Sequence, residues 1–195
     1  MPPFRPFPSP SLSIGTDICH IPRVLRLVNN QKLFPRFLNR IFTQPERAAF
    51  QTRFRNLLKQ ETASDDAGRK EQAFVRQGIA AHLAGRWAAK EAVIKACTWR
   101  RLVLSDVRIL KREQSSGVYG VVLDQVKAAR QTEDAFDWTE EGTDAVEQDI
   151  GVDRSGQIVK VSISHDGDYA TAVCLAAEEP AEGDVGGEAA ARGML

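Results

Sequence analysis

Between residues 72 and 96 the apolar side chains of Ile79, Leu83, Trp87 and Ile94 fall within one arc of a 3.6-residue wheel. A helix of that length with a single apolar arc has to bury it against another element. The chain supplies that element as strands. Residues 11–18 alternate, with Leu12, Ile14, Thr16 and Ile18 on one side and Ser13, Gly15, Asp17 and Cys19 on the other. Residues 103–110 and 118–123 read as a hairpin joined through Ser115-Ser116-Gly117, and 157–164 and 169–176 as a second around His165-Asp166-Gly167-Asp168. In the last strand Tyr169, Thr171, Val173 and Leu175 alternate with Ala170, Ala172, Cys174 and Ala176, so one face is bulky and the other small. Shorter helices complete the pattern: one opened by Pro22, one running from the capping box Thr43–Glu46 to about residue 58, and one over 124–131. These elements predict an α+β fold, a small antiparallel sheet packed against a long helix.

The 195 residues suit one large domain, or two small repeats sharing a core. We place the domain at 11–177, after a flexible, proline-rich 1–10 and before a disordered tail at 178–195. Residues 61–70 read as a loop, and 133–153, acidic and without periodicity, as a surface insertion. No apolar run approaches the roughly 20 residues that span a bilayer. The prolines of 1–10 are incompatible with the apolar helix of a secretory signal. Cys19, Cys97 and Cys174 are widely spaced, which argues against a disulfide framework or zinc site and for a reducing compartment. The formal net charge of zero hides an asymmetry. Residues 1–132 carry 23 Lys and Arg against 10 Asp and Glu; 133–195 carry 3 against 16. A basic N-terminal part attracts polyanions: nucleic acid, phosphorylated small molecules or an acidic protein.

Two carboxylates stand out within that basic part. Asp17 lies in a strand and Glu91 in the long helix, each among apolar or small residues where an unpaired charge is costly. Two such acids meeting in space form a natural site for Mg²⁺, which prefers oxygen ligands and substrate phosphates. Lys95 follows Glu91 by one helical turn, and Arg86 and Lys90 form a second i, i+4 pair. The same charges also fit ordinary salt-bridge dressing of a helix, and His165 at the hairpin turn fits a histidine without a role. Three functions are compatible at this level: group transfer from a phosphate-bearing substrate, a metal-dependent phosphohydrolase, and a basic nucleic-acid-binding module. The last leaves Asp17 and Glu91 unexplained.

Four blocks in order carry a resemblance. They are Gly15-Thr16-Asp17-Ile18; Arg40-Ile41-Phe42-Thr43 with Glu46; Leu83-Ala84-Gly85-Arg86-Trp87-Ala88-Ala89-Lys90-Glu91-Ala92 with Lys95; and Val161-Ser162-Ile163-Ser164-His165 with Tyr169-Ala170. Together they resemble the holo-acyl-carrier-protein synthase type of 4′-phosphopantetheinyl transferase. The resemblance implies an enzyme that takes coenzyme A and moves its phosphopantetheine arm onto a serine of an apo acyl carrier protein. Adenosine 3′,5′-bisphosphate is the product left behind. It implies Asp17 and Glu91 as Mg²⁺ ligands and Glu91, Lys95 and His165 as catalytic residues, with Glu91 or a metal-bound water taking the serine proton. Arg86, Lys90, Lys95, Ser164 and His165 would contact the coenzyme, and Arg23, Arg36 and Arg40 would dock the acidic carrier. The family is commonly a homotrimer whose site lies between neighbouring subunits; nucleic acid and membrane are not among its implied partners. This chain departs from compact bacterial members at Lys95-Ala96-Cys97-Thr98-Trp99-Arg100, where they continue Lys-Ala-x-Gly-Thr-Gly. Its insertion and tail resemble those of fungal relatives, which points to the mitochondrion rather than the cytoplasm.

Overall fold

The alternating segment at the start of the domain forms β1 (Leu12–His20), and the chain turns directly into α1 (Ile21–Val28) with Pro22 in its first turn. A computed structural model describes residues 12–59, 66–112, 117–124 and 156–178. Helices α2 (Leu33–Ile41), α3 (Gln44–Lys59) and α4 (Asp66–Ala96) follow. A short 3-10 turn, Leu104–Asp106, leads into β2 (Val107–Lys111), then come β3 (Val118–Leu123), β4 (Gly156–Asp166) and β5 (Tyr169–Ala177). The five strands make one sheet in the order β1-β5-β4-β3-β2, every neighbouring pair antiparallel. The expected α+β architecture is therefore present, with the sheet on the long helix.

Several boundaries differ from expectation. The long helix begins at Asp66, so 66–70 are helical rather than loop. The first hairpin strand starts at Val107 because Asp106 turns back to accept the Val103 amide at 2.9 Å, closing the 3-10 turn. Helix α2 was not foreseen. The expected helix at 124–131 (beyond Asp124), the insertion at 133–153, the N-terminal 1–10 and the tail from 179 lie outside the described residues.

Helix α4, about 46 Å long at 1.5 Å per residue, is covered on more than one side. Gly85, Ala92 and Ala96 meet the sheet. The approach at β1 is close: a Cβ on Gly15 would lie 2.0 Å from the Ala92 carbonyl oxygen and 2.5 Å from the Ala96 amide nitrogen. Only glycine permits that contact. The small face of β5, Ala170, Ala172, Cys174 and Ala176, is the buried one, while Tyr169 and Val173 on its bulky face stay exposed. His82 packs on Phe50 and Phe54 of α3, and Trp87 on Phe37 of α2. Of the arc read from the sequence, Ile79 and Leu83 are wholly buried and Trp87 and Ile94 partly so.

Candidate active site

Strand register sets the site. In β1, Asp17 pairs with Ala172 of β5, which in turn pairs with Ile163 of β4. Asp17 shares the helix-facing side with Gly15, so its carboxylate projects toward the last turn of α4. There the Lys95 ammonium donates to Asp17 Oδ1 at 2.7 Å and to the Thr16 carbonyl at 3.2 Å. The Thr171 hydroxyl donates to the Asp17 carbonyl at 3.0 Å, tying the strand in place. The Asp17 side chain is 18% exposed and that of Lys95 52%. The hydrogen bond to Asp17 raises the Lys95 pKa against a lowering by desolvation, and the charges of Asp17 and Glu91 raise it further. Both carboxylates thus act on one cation. Glu91, half-buried, accepts the Trp87 indole N–H on Oε1 at 3.2 Å.

That arrangement bears on a metal. An ammonium already sits on the Asp17 carboxylate, one helical turn from Glu91, so positive charge has a partner where β1 meets α4. Among the described residues no group of three or more His, Cys, Asp or Glu could cage an ion. Two protein carboxylates completed by substrate oxygens is the donor set Mg²⁺ commonly uses, so the residues fit that ion.

The remaining predicted residues divide. Lys90 is wholly buried: its ammonium contacts Glu46 Oε2 at 2.6 Å and the Leu104 carbonyl at 3.1 Å. Desolvation lowers its pKa against the opposing pull of Glu46. Glu46 also accepts the Thr43 amide and hydroxyl at 2.9 and 3.0 Å and the Ile109 amide at 3.1 Å, so it joins α3, α4 and β2. Lys90 is therefore a structural ion pair and not a coenzyme contact, a correction to its expected role. Arg86, half-buried, donates to the Ile109 carbonyl, and burial lowers its pKa. His165 is exposed, with Nε2 3.0 Å from the Ala81 carbonyl oxygen and its ring over Gly85. Ser164, one residue earlier in the strand, lies on the opposite sheet face. Counting along α4 from Gly85 to Lys95, His165 and Lys95 are offset by about 15 Å of helix axis. Within one chain the structure gathers Asp17, Glu91 and Lys95, and leaves His165 and Ser164 apart from them.

Arg23, Arg36 and Arg40 are all exposed, on α1 and α2. Arg36 and Arg40 share a stripe with the exposed Leu33, and Arg23 lies over the Trp87 ring at 4.7 Å. Trp87 and Glu46 are the residues that the reading of the site missed. The i, i+4 spacing of Trp87 and Glu91 was a usable signal, because a part-buried indole N–H needs an acceptor. The three cysteines are buried thiols, and burial pushes Cys174 up to about 12, far from a nucleophile's range.

The profile of the 4′-phosphopantetheinyl transferase superfamily matches residues 13–174. The chain belongs to that superfamily. It is 36% identical over 175 residues to 4′-phosphopantetheinyl transferase B, mitochondrial, of Aspergillus fumigatus, covering 88% of this chain and 97% of that one. It is 34% identical to the holo-[acyl-carrier-protein] synthase of Corynebacterium efficiens over 84% of this chain and 92% of that one. The Plasmodium yoelii holo-ACP-synthase crystal structure has the same fold, with a TM-score of 0.50 at 19% identity over 86% of this chain and 94% of that one. The resemblance read from the motifs is thereby shown, and the chain is an enzyme of the phosphopantetheinyl transferase family.

Proposed function

We propose that this transferase moves 4′-phosphopantetheine from coenzyme A to a serine of an apo acyl carrier protein in a Mg²⁺-dependent reaction. The observation that supports the metal and the chemistry is the Lys95–Asp17 contact, which sets Asp17 against the helical turn that also carries Glu91. The carrier serine oxygen bonds to the pantetheine-side phosphorus, its proton is taken up, and the bond to the adenosine-side phosphate breaks. Adenosine 3′,5′-bisphosphate leaves. Asp17 and Glu91 are the protein ligands that would hold Mg²⁺, which when bound neutralises charge on the diphosphate oxygens. The serine proton goes to Glu91 or to a water held at the site. Lys95, more than half exposed at the end of α4, has the reach to leave Asp17 and pair with the diphosphate. His165, with Arg86 and Ser164, is assigned to the coenzyme.

The offset between His165 and Lys95 favours a coenzyme bridging two subunits, each supplying one part. The outward sheet face favours self-association: Ile14, Ile18 and Ile158 are 68%, 64% and 70% exposed there, beside Leu12 and Val173. A homotrimer is the assembly we assign. Arg23, Arg36 and Arg40 would steer an acidic carrier onto α1 and α2. The mitochondrial designation of the Aspergillus relative supports the mitochondrion as the compartment. Among the described residues no helix is long and apolar enough to cross a membrane.

Incubation with coenzyme A, Mg²⁺ and an apo carrier, followed by weighing of the carrier, tests the assignment. A mass gain of one phosphopantetheine, abolished by chelation, is the expected result. Free phosphopantetheine with an unmodified carrier would instead identify a phosphohydrolase, and salt-sensitive nucleic-acid binding without turnover a binding module.

A further inference from the structure

We propose that Trp87 is a positioning residue for Glu91: its indole N–H fixes the carboxylate so that the second oxygen faces the cation site shared with Asp17. This rests on the assignment of Glu91 as a metal ligand. Glu91 is half-buried, on a long side chain that has many rotamers, and it comes from a different element than Asp17. Convergence of the two acids therefore depends on something that holds Glu91. The Trp87 indole, one turn earlier on α4, donates to Glu91 Oε1 at 3.2 Å. The indole is itself held on both flanks. Phe37 of α2 packs on it at 5.2 Å between ring centroids, and the Arg23 guanidinium lies 4.7 Å over its ring. Arg23 follows directly on β1 in the first turn of α1, next to the strand that carries Asp17. A cation over the ring face draws on its electron density and makes the N–H a stronger donor. Hydrogen bonds to a ligating carboxylate orient it for the metal. A phenylalanine or leucine here would preserve an apolar contact with Phe37 but leave the carboxylate free to turn.

The test is Mn²⁺ binding to the full chain in the presence of coenzyme A, followed by the loss of the free-ion paramagnetic resonance signal. Trp87→Phe keeps an aromatic ring and removes the N–H. The expected result is an Mn²⁺ affinity about 10-fold weaker than wild type. The Mg²⁺ concentration for half-maximal transfer should rise in parallel, with activity recovering at high Mg²⁺. Replacement of Trp87 by benzothienylalanine, which keeps the bicyclic shape and lacks the N–H, should give the same weakening and guards against misfolding of the phenylalanine variant. In a Glu91→Gln background Trp87→Phe should have no further effect on Mn²⁺ affinity. Superimposable Mn²⁺ titrations for wild type and both N–H-deficient variants overturn the positioning role while leaving the metal assignment standing. Failure of wild type itself to bind Mn²⁺ with coenzyme A overturns the metal assignment, and this role with it.

Discussion

The residue with the most revealing neighbourhood is Lys95, because its ammonium sits on the carboxylate assigned to a metal. A bound divalent ion and this ammonium compete for Asp17. Lys95→Met should therefore tighten Mn²⁺ binding to the coenzyme-free protein while lowering kcat about 100-fold, through loss of the charge proposed to pair with the diphosphate. Equal Mn²⁺ affinity in the variant and wild type, measured by equilibrium titration, would remove the competition. His82 makes a different kind of prediction. Burial, followed by the charges of Arg86, Arg53 and His165, pushes its pKa down from 6.5 to about 4. Above pH 6.5 the imidazole is neutral both folded and unfolded, and stability is at its plateau. As the pH falls from 6.5 toward 4 the unfolded chain takes up a proton that the folded one refuses, so stability declines by up to about 3 kcal/mol. Denaturant titrations across that range should show the slope, and His82→Gln should flatten it. An unchanged slope in the variant would assign the acid sensitivity elsewhere.

At the scale of elements, the contact that matters most is α4 on β1. Gly15→Ala places a methyl group where the Ala92 carbonyl oxygen and the Ala96 amide already stand. Backbone cannot yield as a flexible side chain does, so the helix must move off the strand. We expect a loss of about 3 kcal/mol in stability and weaker Mn²⁺ binding, since Asp17 and Lys95 are carried by those two elements. A variant with wild-type stability would show the approach to be looser than described. The Lys90–Glu46 pair is a second joint: Glu46→Gln leaves the wholly buried Lys90 ammonium without its counter-charge and should cost about 3 to 5 kcal/mol in urea unfolding. Much of this element scale was legible in the sequence. Alternation gave β1 and the second hairpin, periodicity gave most of α4, and Thr43–Glu46 gave the start of α3. The assignment of Lys90 to a phosphate failed because its partner lies 44 residues earlier in the chain, a tertiary fact that spacing on one helix cannot report. Ser164 entered through the motif it shares with His165, and alternation along β4 turns the two side chains to opposite faces of the sheet.

At the scale of the molecule, one sheet face is packed on α4 and the other presents isoleucines and valine to solvent. A domain of this size rarely leaves such a face bare unless another surface covers it. If the proposed trimer and its shared site hold, Ile14→Glu combined with Ile18→Glu should shift the light-scattering mass from trimer to monomer and abolish transfer, because His165 and Lys95 of neighbouring subunits would be separated. A monomeric but fully active variant would refute the shared site. The charge asymmetry read from the sequence belongs to this scale too. Its basic half contains the exposed arginines of α1 and α2, where long-range attraction, weakened by salt, would gather an acidic carrier. The most direct measurement is anomalous scattering from Mn²⁺ in crystals grown with coenzyme A. A single peak bridging a carboxylate oxygen of Asp17, one of Glu91 and the coenzyme diphosphate is the predicted result. An ion bound to the diphosphate with neither carboxylate in its coordination sphere would contradict it.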